Sequence, residues 1–213
     1  VNYGVISNVQ LHLIAPLTYD APKDHSGHYG YGDTELGVKF RFLQEAEFCP
    51  QVGVFPLLEI PTGHRQEGLG SGHVQAFLPV WLQKDLGHGW TVYGGGGYGI
   101  NPGGGNRNWG EGGAVLQRQV TPAVLLGGEV YHRTAATVGG RADTAFDLGT
   151  VVDLSENHHL LFSAGRSIDG PTKFQAYFAY QLTFGPGWTG PADRPSASLR
   201  GWTAADLPPG SGK

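Results

Sequence analysis

Apolar and polar residues alternate with period two along eleven stretches of this chain, and the links between the stretches are alternately short and long. The last stretch shows the alternation most cleanly. Phe174, Ala176, Phe178, Tyr180, Leu182 and Phe184 share one parity, while Lys173, Gln175, Tyr177, Ala179, Gln181 and Thr183 share the other. Successive side chains of a β-strand point to opposite faces, so each such stretch has one apolar and one polar face. The pattern predicts strands over residues 1–6, 9–19, 33–43, 51–60, 73–83, 90–100, 108–119, 123–133, 143–154, 158–167 and 172–184. Gly, Pro, Asn, Asp and Ser occupy the breaks, as turn chemistry requires. No helical periodicity of useful length interrupts them. Stretches 51–60 and 108–119 alternate less regularly, and their facing is weakly defined.

Parity alone does not say which face is outside. A soluble barrel would turn the apolar face inward, whereas a membrane barrel turns it to lipid. Two features favour the second arrangement. A soluble barrel of about eleven strands would enclose a lumen too wide for its own side chains to fill. The polar face is also rich in glycine and carries both signs of charge, more like a packed or wetted interior than a solubilising surface. Strands of about ten residues tilted by roughly 45° cross a bilayer. The expected fold is therefore all-β, an antiparallel up-and-down transmembrane β-barrel over residues 1–184.

The loops then set an orientation. Bacterial outer-membrane barrels keep short turns on the periplasmic side and longer loops outside. The short links lie after Ile6, near Cys49, and at residues 86–89, 121–122 and 155–157. Aromatics on the apolar face gather at both strand ends: Phe42, Trp90 and Phe184 at the turn end, and Tyr19, Tyr98, Phe146 and Phe174 at the loop end. Two aromatic girdles anchor a barrel at the two membrane interfaces. The first and last stretches run in the same direction, so they cannot close antiparallel. With even strand numbers the rule, about twelve strands are expected, with one missing before Val1 and an open seam in its place.

Composition narrows the classes. Charged residues make up 15% of the 213, glycine numbers 36, and aromatics reach 11%, which suits a barrel wall. No stretch has the roughly eighteen apolar residues of a membrane-spanning helix, so any crossing is by strands. A net charge of −4 offers nothing to a nucleic acid. The single cysteine, Cys49, excludes an internal disulfide. The chain starts at Val1 inside a strand and reads as a mature chain or a fragment. Residues 185–213, rich in Pro, Gly and Ser, read as a disordered tail.

The segments Asn2-Tyr3-Gly4-Val5, Gly32-Asp33-Thr34-Glu35-Leu36-Gly37-Val38-Lys39-Phe40-Arg41-Phe42, Leu58-Glu59-Ile60-Pro61-Thr62-Gly63 and Lys84-Asp85-Leu86-Gly87 carry a family signal through their order and spacing. Over roughly residues 1–184 the chain resembles the outer-membrane family named for meta-pathway phenol degradation, often labelled "transporter". The resemblance implies a Gram-negative outer-membrane barrel linked to uptake of hydrophobic or aromatic compounds. It implies no catalytic residues. The chain departs from the pattern in continuing past Phe184, the aromatic residue that would normally end an outer-membrane strand.

The polar parity collects the candidate lumen lining: Glu35, Lys39, Arg41, Glu59, Gln75, Phe77, Trp81, Glu111, Gln117, Glu129, Tyr131, Arg133, Asp147, Asp153, Lys173, Gln175 and Tyr177. These could line a solute path and set its selectivity. They could equally pair across a narrow lumen and plug it. Phe77, Trp81, Tyr131 and Tyr177 are inward aromatic contacts for a small hydrophobic solute, or packing.

Other constellations weigh less. Gly94, Gly96 and Gly99 match a dinucleotide fingerprint, but that motif needs a following helix, and here it lies inside a strand. The glycines serve better to let a bulky neighbour approach the wall. No cofactor is expected. Asp24, His25 and His28 could hold a divalent metal but read as polar loop residues. His158 and His159 begin a strand and point to opposite faces. Ser71 and His73 are the nearest approach to a hydrolase site, with no activating context around the serine. The reading is a bacterial outer-membrane barrel, in contact with the lipid bilayer, that passes or binds a small hydrophobic or aromatic solute. A plugged structural barrel and, less so, an outer-membrane hydrolase are its rivals. Oligomeric state and solute identity stay open.

Overall fold

The computed structural model describes residues 1–20 and 27–186. Its strands are β1 (Asn2–Ile6), β2 (Val9–Ile14), β3 (Leu17–Asp20), β4 (His28–Tyr31), β5 (Thr34–Leu43), β6 (Gln51–Val54), β7 (Leu57–Ile60), β8 (Gln75–Gly87), β9 (Trp90–Ile100), β10 (Trp109–Thr121), β11 (Val124–Arg133), β12 (Asp143–Asp153), β13 (His158–Asp169) and β14 (Gln175–Phe184). Twelve of them form one sheet, and β6 and β7 share the place between β5 and β8, so the wall has eleven strand positions. The barrel is closed. Among the described residues no helix is long and apolar enough to cross a membrane.

Neighbouring wall strands pair antiparallel in chain order, and the β11–β12 register runs without a break from Val124 opposite Val152 to Arg133 opposite Asp143. Prolines explain where the predicted stretches divide. The stretch 51–60 breaks at Phe55 and Pro56, because proline has no N–H to give the ladder. Hydrogen bonds from Val38 N to Pro56 O (3.1 Å) and from Phe55 N to Pro79 O (3.2 Å) carry the wall across the break. Alternation survives it: Phe55, Leu57 and Glu59 stay on the inner parity. The stretch 9–19 likewise divides at Ala15 and Pro16. Its second part, β3, pairs with β4 as a separate hairpin at the loop end of the wall. Strand β8 extends past the predicted limit to a tight turn in which Gly87, His88 and Gly89 all have positive φ (79°, 54° and 78°).

The seam corrects one expectation. β1 and β14 do run in the same direction, yet they do not leave the wall open. They pair parallel, Asn2 opposite Thr183 and Tyr3 opposite Phe184. A parallel ladder uses evenly spaced, slanted hydrogen bonds and needs no reversal of direction. On the outer face the Tyr3 and Phe184 rings meet edge to face across this seam, 5.3 Å between centroids.

The outer face is apolar. Leu36, Val38, Phe40, Leu78, Val80, Leu82, Leu126, Val130, Leu148, Phe162 and Phe178 all expose their side chains. Glu35, Gln75, Glu111, Gln117, Glu129 and Asp147 on the opposite parity are buried within the barrel. An apolar exterior around a polar interior is the arrangement of a membrane barrel. Of the girdle aromatics, Phe42, Trp90, Tyr98 and Phe184 are exposed on wall strands, and Phe146 lies between Val130 and Arg166 in register. Phe174 is exposed just before β14, and Tyr19 stands on the β3–β4 hairpin opposite Tyr29. The tail expectation lies beyond the described residues from position 187 onward, as do Asp24 and His25; His28 is exposed in β4.

Candidate functional site

The lumen is built from the inward parity of every wall strand, and its two sides differ in chemistry. From β5 to β10 the inner wall carries an aromatic strip. Phe55, Leu57, Phe77, Trp81, Tyr93, Trp109 and Val115 form one buried cluster. Phe77 stacks on Trp109 at 4.8 Å, and Trp81 stacks on Tyr93 at 4.9 Å. His12 meets Phe55 edge-on at 5.1 Å. Cations cap the strip at both ends. The Arg133 guanidinium lies 4.5 Å over the Trp109 ring near the loop end, and Lys39 Nζ lies 4.8 Å over Phe55.

Glycine makes that strip possible. A Cβ at Gly97 would stand 2.5 Å from the Phe77 ring, and one at Gly99 would stand 2.1 Å from Trp109. The run of glycines in β9 is therefore a bed for rings projecting from β8 and β10, the close-approach role of strand glycine.

Carboxylates and their partners dominate elsewhere. Arg133 Nε donates to Glu111 Oε2 at 2.5 Å, an ion pair between residues directly opposite in β10 and β11. Gln175 Nε2 lies 2.9 and 2.7 Å from the two Asp147 oxygens and 2.8 Å from the Tyr131 hydroxyl. Asp153 accepts from His159 Nδ1 at 2.7 Å near the turn end. Two acid pairs face each other directly across strands, Glu35 with Glu59 and Glu129 with Asp147. Like charges opposite one another destabilise a sheet unless something neutralises them.

Arg41 donates to Gln51 Oε1 (3.2 Å) and to Ser7 O (2.8 Å) at the turn end. Gln117 is buried, Tyr177 is half-buried, and both line the space between β10 and β14. Lys173, expected on the inner wall, instead stands exposed in the link before β14, because the strand starts only at Gln175.

Between the inward side chains lie small pockets. A cavity of about 60 Å³ lies between β10 and β14, lined by Gln117, Glu129, Asp147, Ser163 and Tyr177 among others. A second of about 70 Å³ lies between β5 and β9, beside Lys39, Arg41, Phe55, Trp81 and Tyr93. An apolar cavity of about 150 Å³ is the size that takes up benzene, so neither space holds an aromatic ring without side-chain movement.

Sequence parity also pointed to inward residues left out of the lining. Tyr93 and Trp109 fall on it, yet the glycine run and the irregular 108–119 stretch hid them. Asp33, 1% exposed, accepts from Gly63 N (2.8 Å), Ser71 N (2.6 Å) and Ser71 Oγ (2.7 Å). Thr62 Oγ1 bonds Thr34 N at 2.9 Å beside it. Two of the segments behind the family resemblance thus form one clamp that folds the loop after β7 onto the start of β5. Ser71, the nucleophile of the hydrolase reading, spends its hydroxyl on Asp33 and on His73 O (2.8 Å), in a backbone role.

No family model matches the sequence, and no curated protein matches it. Among solved structures, the chain is similar to the crystal structure of the COG4313 outer membrane channel from Pseudomonas putida F1. The TM-score is 0.65 at 20% identity, over 85% of this chain and 78% of that one. The likeness is one of fold: this chain shares the barrel of an outer-membrane channel, and the narrower phenol-degradation label rests on the short segments alone.

Proposed function

We propose that this chain is an outer-membrane channel of a Gram-negative bacterium, passive and without catalytic chemistry, that passes or binds a small hydrophobic or aromatic solute. The short turns would face the periplasm and the longer loops the exterior. One observation carries the solute class: the aromatic cluster on one inner wall, in which Phe77 stacks on Trp109 and Trp81 on Tyr93, with Phe55 packed among them. Stacked rings offer a flat solute a series of exchangeable partners, each contact worth about 0.5–1.5 kcal/mol beyond its buried area. The cations over Trp109 and Phe55 would favour a ring with electron-rich edges or an acidic substituent.

The fit of a channel neighbour to the barrel supports the transport reading, since that protein is itself described as an outer membrane channel. Seating a ring in either pocket requires movement of the strip, because side-chain filling leaves only about 60 and 70 Å³ there. The same filling supports a second reading, a structural barrel with a plugged lumen. Quenching of tryptophan fluorescence by phenol, in the protein held in lipid vesicles, separates them. Saturable quenching that weakens in Trp81→Phe and Phe77→Ala fits the solute strip. Quenching that never saturates, and is unchanged in both variants, fits the plug.

A further inference from the structure

From the acid pair on the far side of the lumen, we propose that the barrel binds a hard divalent cation, calcium or magnesium, between Glu129 and Asp147. The two residues are direct cross-strand partners in β11 and β12, and they are 7% and 3% exposed. Glu129 Oε1 is buried and has no hydrogen-bond partner. Among the described residues neither carboxylate joins an ion pair; Asp147 is held only by the neutral amide of Gln175. A buried carboxylate without a counter-charge or donor is costly, so such a pair needs a cation or a proton between its members.

The surroundings select the cation. Both carboxylates line the cavity of about 60 Å³, and its other polar groups include the Gln117 amide, the Ser163 hydroxyl and the Tyr177 phenol. Calcium and magnesium take oxygen ligands and keep part of their water shell when the protein supplies few of them. The cavity has room for an ion and a few waters but not for an organic ammonium of benzene size. Among the described residues no group of three or more His, Cys, Asp or Glu could hold a metal ion, so the protein would offer the ion two carboxylates and water would supply most of its other ligands. With two carboxylates, the affinity falls in the weak range of on the order of 10⁻⁴–10⁻³ M. An ion there would join β11 to β12 and neutralise the acidic wall. The site stands apart from the solute reading and is measurable whether or not the lumen conducts.

The test uses the full chain refolded from denaturant, free of lipopolysaccharide, in zwitterionic detergent, with terbium as the luminescent stand-in for calcium. Tyr177 at the cavity wall sensitises a bound terbium ion. The expected result is a terbium signal that calcium displaces, with an affinity about tenfold or more weaker in Glu129→Gln and in Asp147→Asn, and unchanged in the exposed-turn variant Glu156→Gln. Folding of each variant is checked by its heat-modifiable gel migration. Absence of a calcium-displaceable signal in the unsubstituted protein overturns the proposal, and so does a signal undiminished in the folded double variant.

Discussion

Between β5 and β10 the inner wall presents rings bedded on glycine, with the Glu35–Glu59 pair beside Phe77 and Trp109. Between β10 and β14 it presents carboxylates, amides and hydroxyls around a small cavity that Val115, Val151 and Leu161 also line. Both sides obey the same alternation, so strand geometry does not make the difference. Glycine placement does. Gly95, Gly97 and Gly99 remove three successive inward side chains from β9, and the rings of Phe77 and Trp109 fill the volume they vacate. On the other side Gly149 and Gly165 thin the wall, but polar residues of β11, β12 and β14 reach into the space; Gln175 bonds Asp147 and Tyr131, while among the described residues Glu129 Oε1 has no partner. One side is held by shape and the other by polar contacts around an uncompensated acid pair, and the two should respond differently to substitution.

The largest effect is expected where the sides meet. Glu111→Gln removes the carboxylate bonded to Arg133 Nε while the guanidinium stays buried, and breaking such a buried pair costs up to about 3–5 kcal/mol. Urea unfolding in lipid vesicles, followed by tryptophan fluorescence, measures it. Gly99→Ala tests shape alone. A methyl group 2.1 Å from the Trp109 ring must displace it, at about 1–3 kcal/mol by the usual cost of overpacking. The same assay should show a lowered midpoint and a changed near-ultraviolet signal from Trp109.

The smallest effect belongs to the acid pair. In the absence of divalent ions, Glu129→Gln relieves repulsion from Asp147 and should leave stability unchanged or raise it by up to about 1 kcal/mol. Added calcium should stabilise the unsubstituted protein and not this variant, because an ion that binds only the folded state shifts the equilibrium toward it. Stabilisation of both to the same degree would mean that calcium acts elsewhere.

Much of this architecture was legible in the sequence, because a period of two leaves a strong trace wherever apolar and polar residues strictly alternate. Stretches 33–43 and 172–184 are of that kind. The trace fades where inward positions are themselves apolar. Val115 sits between Glu111 and Gln117, and Leu161 sits between His159 and Ser163; each points into the lumen while resembling its lipid-facing neighbours. Phe55 is hidden for another reason, since Pro56 interrupts the ladder beside it without shifting parity. The parallel seam had no local signal at all. Pairing of Tyr3 with Phe184 joins residues at opposite ends of the wall, and nothing in either segment alone announces it. The acid pair was half visible: Glu129 and Asp147 were both on the inner parity, but only the β11–β12 register brings them opposite each other.

Single-channel recording in planar bilayers, with the full chain and its Phe77→Ala/Trp81→Ala variant, tests most directly whether the aromatic strip lies on a solute path. The expected result is small, resolvable steps that grow in the variant and are transiently blocked by phenol in the unsubstituted protein. Silence from both proteins, with the barrel shown to be folded and inserted, would contradict it.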